Sequence, residues 1–122
     1  MGHVFDECSN RVIGAAVAVH SALGPGFVEG VYQAALEMEL SDRGVQCSRE
    51  VRVPIRYRGR EVGLHRLDLI VEGRVVVELK SVSLILDTHL AQLRSYLKAS
   101  GLRVGLLLNF NAAVLVIKRV VN

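Results

Sequence analysis

Asp68, Glu78 and Lys80 are the residues of this chain whose types and spacing are best suited to chemistry. They lie in Asp68-Leu-Ile-Val-Glu-Gly-Arg-Val-Val-Val-Glu78-Leu-Lys80, which reads as two short apolar strands joined by a tight turn at Glu72-Gly73. Successive side chains of a strand alternate faces, so Glu78 and Lys80 share one face and Leu79 takes the other. If the strands pair as a hairpin, Asp68 approaches that face from the neighbouring strand. Two acids and a lysine on a mostly buried sheet cost free energy, which a bound metal and a phosphate would offset. Mg2+ prefers oxygen ligands in octahedral geometry and keeps several waters. Asp68, Glu78 and the backbone carbonyl of Leu79 would make a half-shell for it, open towards a substrate. Lys80 would then orient the attacking water and stabilise charge developing on a phosphate. The alternative is an Asp–Lys–Glu ion-pair network without a ligand, in which desolvation consumes most of the Coulombic gain. The local pattern leaves both open.

Further polar residues stand at helical positions that such a site would use. Glu29 falls in the first turn of a helix expected from about Phe27 to Arg43, with Tyr32 and Gln33 on neighbouring surface. A carboxylate there is also favoured by the helix dipole alone. Gln92 and Tyr96, four apart, share a face of a helix capped by Asp87 or Thr88 and ending at Ala99, beside the apolar stripe of Leu90, Leu93 and Leu97. They can reach a site at the sheet edge or simply meet water. His89, one turn before Gln92, can approach the same place, whereas His20 and His65 have no metal-ligand spacing and His3 sits in a terminal segment expected to be mobile.

The elements that must position these residues follow from periodicity. Asn10 or Ser9 caps a helix over about Arg11 to Ala22, with Val12, Ala15, Ala16 and Val19 on one face. Leu23-Gly-Pro-Gly26 breaks it, and the second helix carries Val28, Val31, Ala35, Leu36 and Met38 as apolar positions before Gly44. Clean alternation from Arg49 to Tyr57 marks a strand with Val51, Val53, Ile55 and Tyr57 inward. Its outer face bears Arg52, Pro54, Arg56 and Arg58, and Pro54 places it at an edge. Those arginines, with Arg60, either track a nucleic-acid backbone or blunt an exposed edge. Strands at about Glu61–Val71, Val75–Ser81, Arg103–Asn109 and Ala113–Val120 complete the order ααβββαββ, an α/β sandwich around a mixed sheet.

Bulk properties agree with one folded domain over residues 1–122. Hydrophobic residues make up 51%, which argues against disorder and suggests either a sheet covered on both faces or an apolar subunit interface and hence a homodimer. No apolar run approaches the ~18 residues needed to span a bilayer. The N-terminal Met1-Gly-His-Val-Phe-Asp-Glu lacks the basic and apolar regions of a signal peptide. Cys8 and Cys47, far apart and without metal spacing, read as free thiols of a cytoplasmic protein. The net charge of +3 is too small to imply nucleic acid by itself.

Gly26-x-x-Glu29-x-x-Tyr32 resembles the signature of the GxxExxY family, assigned to the PD-(D/E)XK nuclease superfamily with its restriction-endonuclease-like fold. The resemblance extends from about Val12 to Val120 through Val75-Val-Val-Glu-Leu-Lys80, Gln92-Leu-Arg-Ser-Tyr96 and Gly101-Leu-Arg-Val-Gly-Leu-Leu-Leu-Asn-Phe110. It implies a Mg2+ (or Mn2+) site at Asp68 and Glu78, with Glu29 as a helix acid reaching the metal directly or through water. It implies Lys80 as the catalytic lysine, and Gln92 and Tyr96 as a Gln-x-x-x-Tyr element bordering the site. Leu67 before Asp68 departs from the superfamily's Pro-Asp pair. The expected activity is metal-dependent hydrolysis of DNA or RNA. The competing expectation is a non-catalytic module binding nucleic acid or protein.

Overall fold

The computed structural model of the chain describes residues 3–122, and side chains from residue 7 onward. Met1 and Gly2, part of the stretch read as lacking a signal peptide, lie outside it. The described elements are α1 (His3–Leu23), α2 (Glu29–Asp42), β1 (Cys47–Tyr57), β2 (Arg60–Val71), β3 (Val75–Lys80), α3 (Asp87–Ser100), β4 (Val104–Asn109) and β5 (Val116–Val121). The order ααβββαββ is the expected one. The strands form one mixed sheet in the order β1-β2-β3-β4-β5, with β3 and β4 parallel and every other pair antiparallel. β1 lies at an edge, where Pro54 predicts it.

Apolar side chains divide between the two faces of this sheet. Val75, Val77 and Leu79 of β3 join Leu106 and Leu108 of β4 under α1 and α2. Val76 and Leu107 face the other way, onto Leu93, Tyr96 and Leu97 of α3. Apolar runs such as 104–108 of β4 arise because both faces are covered. Close approach on the α3 side depends on Gly105, where an added Cβ would stand 2.8 Å from Leu93 Cδ1. The β2–β3 turn matches its residues as well. Glu72 and Gly73 both have positive φ, 55° and 65°, and Arg74 N–H donates to Val71 C=O at 2.9 Å, the type I′ geometry that accommodates strand twist.

Three boundaries differ from expectation for physical reasons. α1 begins at His3 rather than near Arg11, and Ser9 lies buried within it instead of capping it. Cys8, four residues before Val12, extends the same buried stripe by another turn, with its thiol 3.8 Å from the Val71 carbonyl. α2 buries Tyr32, Leu36 and Leu40, while Val28, Val31 and Met38 are exposed. That helix is apolar on more than one side, so periodicity alone allowed two stripes. α3 starts from Leu86, whose N–H donates to His89 Nδ1 at 2.9 Å, so His89 caps the helix in place of Asp87 or Thr88. Tyr57, expected inward, is exposed, since the register shifts between Ile55 and Arg56.

Candidate active site

Asp68 stands where β2 stops pairing with β3. The ladder runs Val71↔Val75, Ile70↔Val76 and Leu69↔Val77, and no further. Beyond it, Asp68 Oδ2 accepts the Leu79 N–H at 3.0 Å. A carboxylate thus takes the place of a strand carbonyl, and the two strands separate. Lys80 C=O points towards β4, where it accepts the Phe110 N–H at 2.9 Å. Backbone groups of successive strand residues point to opposite neighbours, so the Leu79 carbonyl is directed into the gap beside Asp68.

The gap originates in a slip of side-chain phase. Leu69 and Val71 lie under α1 and α2, whereas Leu67 packs with α3. The change falls at Asp68, opposite Glu50 in β1, which adopts φ 51° between the pairs Arg49↔Leu69 and Val51↔Leu67. A left-handed residue in a strand bends it locally, here without an extra residue, since the pairs on either side keep one register. Glu50 is held there by Gln33 Nε2 at 3.0 Å and by Arg66 Nε at 3.3 Å. Gln33 Nε2 also approaches the Asp68 carbonyl at 3.4 Å. Gln33 and Glu50 therefore fix the kink that aims Asp68. Glu50 interrupts the regular alternation expected across Arg49–Tyr57.

Glu78 lies on the α3 side, 5% exposed, and its Oε2 has no hydrogen-bond donor. Burial pushes its carboxyl up to about 10, followed by the hydrogen bond to Asp68 and repulsion from Asp68. Lys80 lowers it and Glu29 raises it further. Two carboxylates cannot donate to each other, so the Asp68–Glu78 hydrogen bond forms only when one of them holds a proton. Without a cation, Glu78 is the protonated partner at neutral pH. Lys80 is half-buried on the same face, and among the described residues no salt bridge involves Asp68, Glu78 or Lys80. The closed ion-pair network considered from sequence is therefore not formed.

Tyr96 borders this pair from α3. It is 7% exposed, and its phenol is raised to about 12 by burial and then by the charges of Glu78 and Asp68. Its ring meets His65 edge-on at 4.6 Å between centroids. Gln92 is exposed one turn earlier on α3. Glu29 is exposed in the first turn of α2, and its charge still acts on Glu78. Among the described residues no three His, Cys, Asp or Glu side chains gather as a metal-ligand set, so Glu29 does not join Asp68 and Glu78 in one. Tyr32 is not on the surface with Glu29. Its ring stacks on Phe110 at 4.6 Å, and its hydroxyl donates to Gly24 C=O at 2.6 Å and accepts the Phe27 N–H at 3.1 Å.

Several supporting residues escaped the sequence reading. Asn109, buried at the end of β4, accepts the Val82 N–H at 3.1 Å and donates to Val82 C=O at 2.9 Å, locking the exit of β3. Ser81 Oγ donates to Phe27 C=O at 2.7 Å and ties that exit to the loop before Glu29. The signal for Asn109 was a lone amide closing an otherwise apolar strand, Val104–Asn109.

The arrangement suits a hard divalent cation. Two carboxylates and a carbonyl converge at a strand gap, one carboxylate oxygen lacks a partner, and a positive ion would replace the proton that burial now imposes on Glu78. A mixed five-stranded sheet covered by helices, with acids at the point where two strands part, has the architecture of restriction-endonuclease-like domains. The chain belongs to the PD-(D/E)XK nuclease superfamily, whose family model matches residues 6–120. Nucleases of this superfamily generally use divalent metals and act on nucleic acid. No curated protein and no solved structure gives a match.

Proposed function

We propose that this chain is a Mg2+- or Mn2+-dependent phosphodiesterase of the GxxExxY type, a single domain over residues 1–122 that cleaves DNA or RNA. The observation that supports it most is Glu78, buried beside Asp68 at the strand gap with an unpartnered oxygen. Asp68, Glu78 and the Leu79 carbonyl would hold the ion, with Glu29 contributing through water. When bound, the ion supplies Lewis-acid stabilisation to the scissile phosphate. Lys80, free of salt bridges on the Glu78 face, donates to the attacking water or to a non-bridging oxygen of the phosphate. Tyr96, held as a neutral phenol by its raised pKa, offers a second donor to the phosphate. Gln92 lies at the outer rim, where it meets the substrate strand.

The second reading is a non-catalytic module binding nucleic acid or protein, alone or as a homodimer. It is favoured by the Asp68–Glu78 hydrogen bond, which a shared proton completes without metal. Labelled single- and double-stranded DNA and RNA, incubated with Mg2+, Mn2+ or chelator, separate the two. Metal-dependent cleavage is expected, with losses of about 100-fold or more in Asp68→Ala and Lys80→Ala. Cleavage unaffected by either substitution, or none with any metal, would favour the second reading.

A further inference from the structure

A groove of about 490 Å3 lies between the β1–β2 hairpin and α3, lined by Arg56, His65, Ser95 and Lys98 together with Pro54 and Ile55. Tyr96 stands between it and the acids. His65, on its wall, packs against Tyr96, which borders Asp68 and Glu78. The groove exists because the hairpin bends at Glu50 and Asp68, which turns Val51, Val53 and Leu67 onto α3.

Its lining carries two cations and no acid. Arg11, Arg43, Arg49 and Arg66 each pair with a glutamate. Arg56 and Lys98 have no such partner among the described residues, and no acid lines the groove. The Ser95 hydroxyl donates to Gln92 C=O at 2.7 Å, so His65 Nε2 donates to Ser95 Oγ across 3.2 Å and fixes the wall. Two free cations over an apolar floor of Pro54 and Ile55 suit a phosphate joined to the flat face of a sugar or base. A duplex keeps its bases stacked and offers this groove no free base face.

We propose that this groove binds one unstacked nucleotide of single-stranded DNA or RNA, next to the phosphate held at Asp68 and Glu78. Arg56 and Lys98 neutralise the neighbouring phosphate, while Pro54 and Ile55 support the nucleoside. The inference builds on the nuclease reading by assigning the path of the strand, and it is tested without cleavage.

Fluorescein-labelled dT12 and rU12 are titrated with the full chain in chelator across a salt series, and anisotropy is recorded. Arg56→Ala with Lys98→Ala is expected to weaken binding of one or both oligonucleotides about 10-fold or more, and to lower the log–log salt slope by about 1. Arg11→Ala with Arg74→Ala removes equal charge far from the groove and is expected to stay within about twofold of the parent. Arg56→Lys with Lys98→Arg should restore most of the loss. Equal weakening by both pairs, tighter binding to a 12-base-pair duplex than to single strands, or no binding to any oligonucleotide overturns the proposal. Failure of the nuclease reading shows separately, as absence of cleavage with Mg2+ or Mn2+ while groove-dependent binding persists.

Discussion

The two faces of the sheet use polar groups in opposite ways, and two tyrosines show the contrast. Under α1 and α2, Tyr32 is fully buried, stacked on Phe110, with its hydroxyl both donating to Gly24 and accepting from Phe27. Both bonding roles of that hydroxyl are filled, and the group organises the turn leading into Glu29. Towards α3, Tyr96 sits beside a carboxyl pair whose burial pushes Glu78 to about 10 and leaves its Oε2 without a partner. A fully paired polar group stabilises a fold, while an unpaired one at a sheet gap is tolerated where a ligand completes it. The first face sets the geometry that the second uses.

The largest effect that would test this contrast is on stability. Tyr32→Ala should cost about 3–5 kcal/mol, because it removes a buried ring and its stack. Tyr32→Phe should still cost about 1–3 kcal/mol by leaving the Gly24 carbonyl and Phe27 N–H unpaired, measured by urea unfolding. Tyr96→Phe should change unfolding by less than about 0.5 kcal/mol yet slow cleavage, which reverses the ranking of the two tyrosines. Equal stability losses at both positions would remove the distinction between the faces.

The pH dependence sharpens the same comparison. The folded-state pKa of Glu78, about 10, lies above its ordinary value of 4.5, so the native state binds the extra proton between those limits. Metal-free stability should therefore fall as pH rises from about 4.5 towards about 10. Glu78→Gln should flatten that fall, while Tyr32→Phe should leave its slope unchanged. Since a cation must displace the proton, Mg2+ should raise the melting temperature more at pH 8.5 than at pH 6. A metal-induced shift of equal size at both values would argue against Glu78 as a ligand. The smallest expected change is Gln92→Ala, which lowers the cleavage rate without moving the melting temperature, because the side chain is exposed.

Much of the architecture was legible because the signals are local. Alternation and β-branching marked β3, turn residues marked Glu72-Gly73, and Gly101 closed α3 in a left-handed conformation, φ 75°. Even the shared face of Glu78 and Lys80 followed from strand geometry. Supporting residues were harder to see. Gln33, Ser81 and Asn109 bond to partners at least 17 residues away, and no spacing rule links such pairs. Tyr32 carried a readable motif, yet its burial depended on where the Phe110 ring lies.

By itself the sequence determined the order ααβββαββ and the identity of the acids and lysine, since propensity, periodicity and residue chemistry are properties of short stretches. Tertiary structure alone decided that Asp68 replaces a strand carbonyl opposite Leu79, and that Glu50 bends the hairpin over α3. It also decided that Glu78 is buried against Asp68 without a salt bridge. Those outcomes depend on the relative placement of strands and helices, and desolvation, which sets the charge state of Glu78, exists only once the layers have packed.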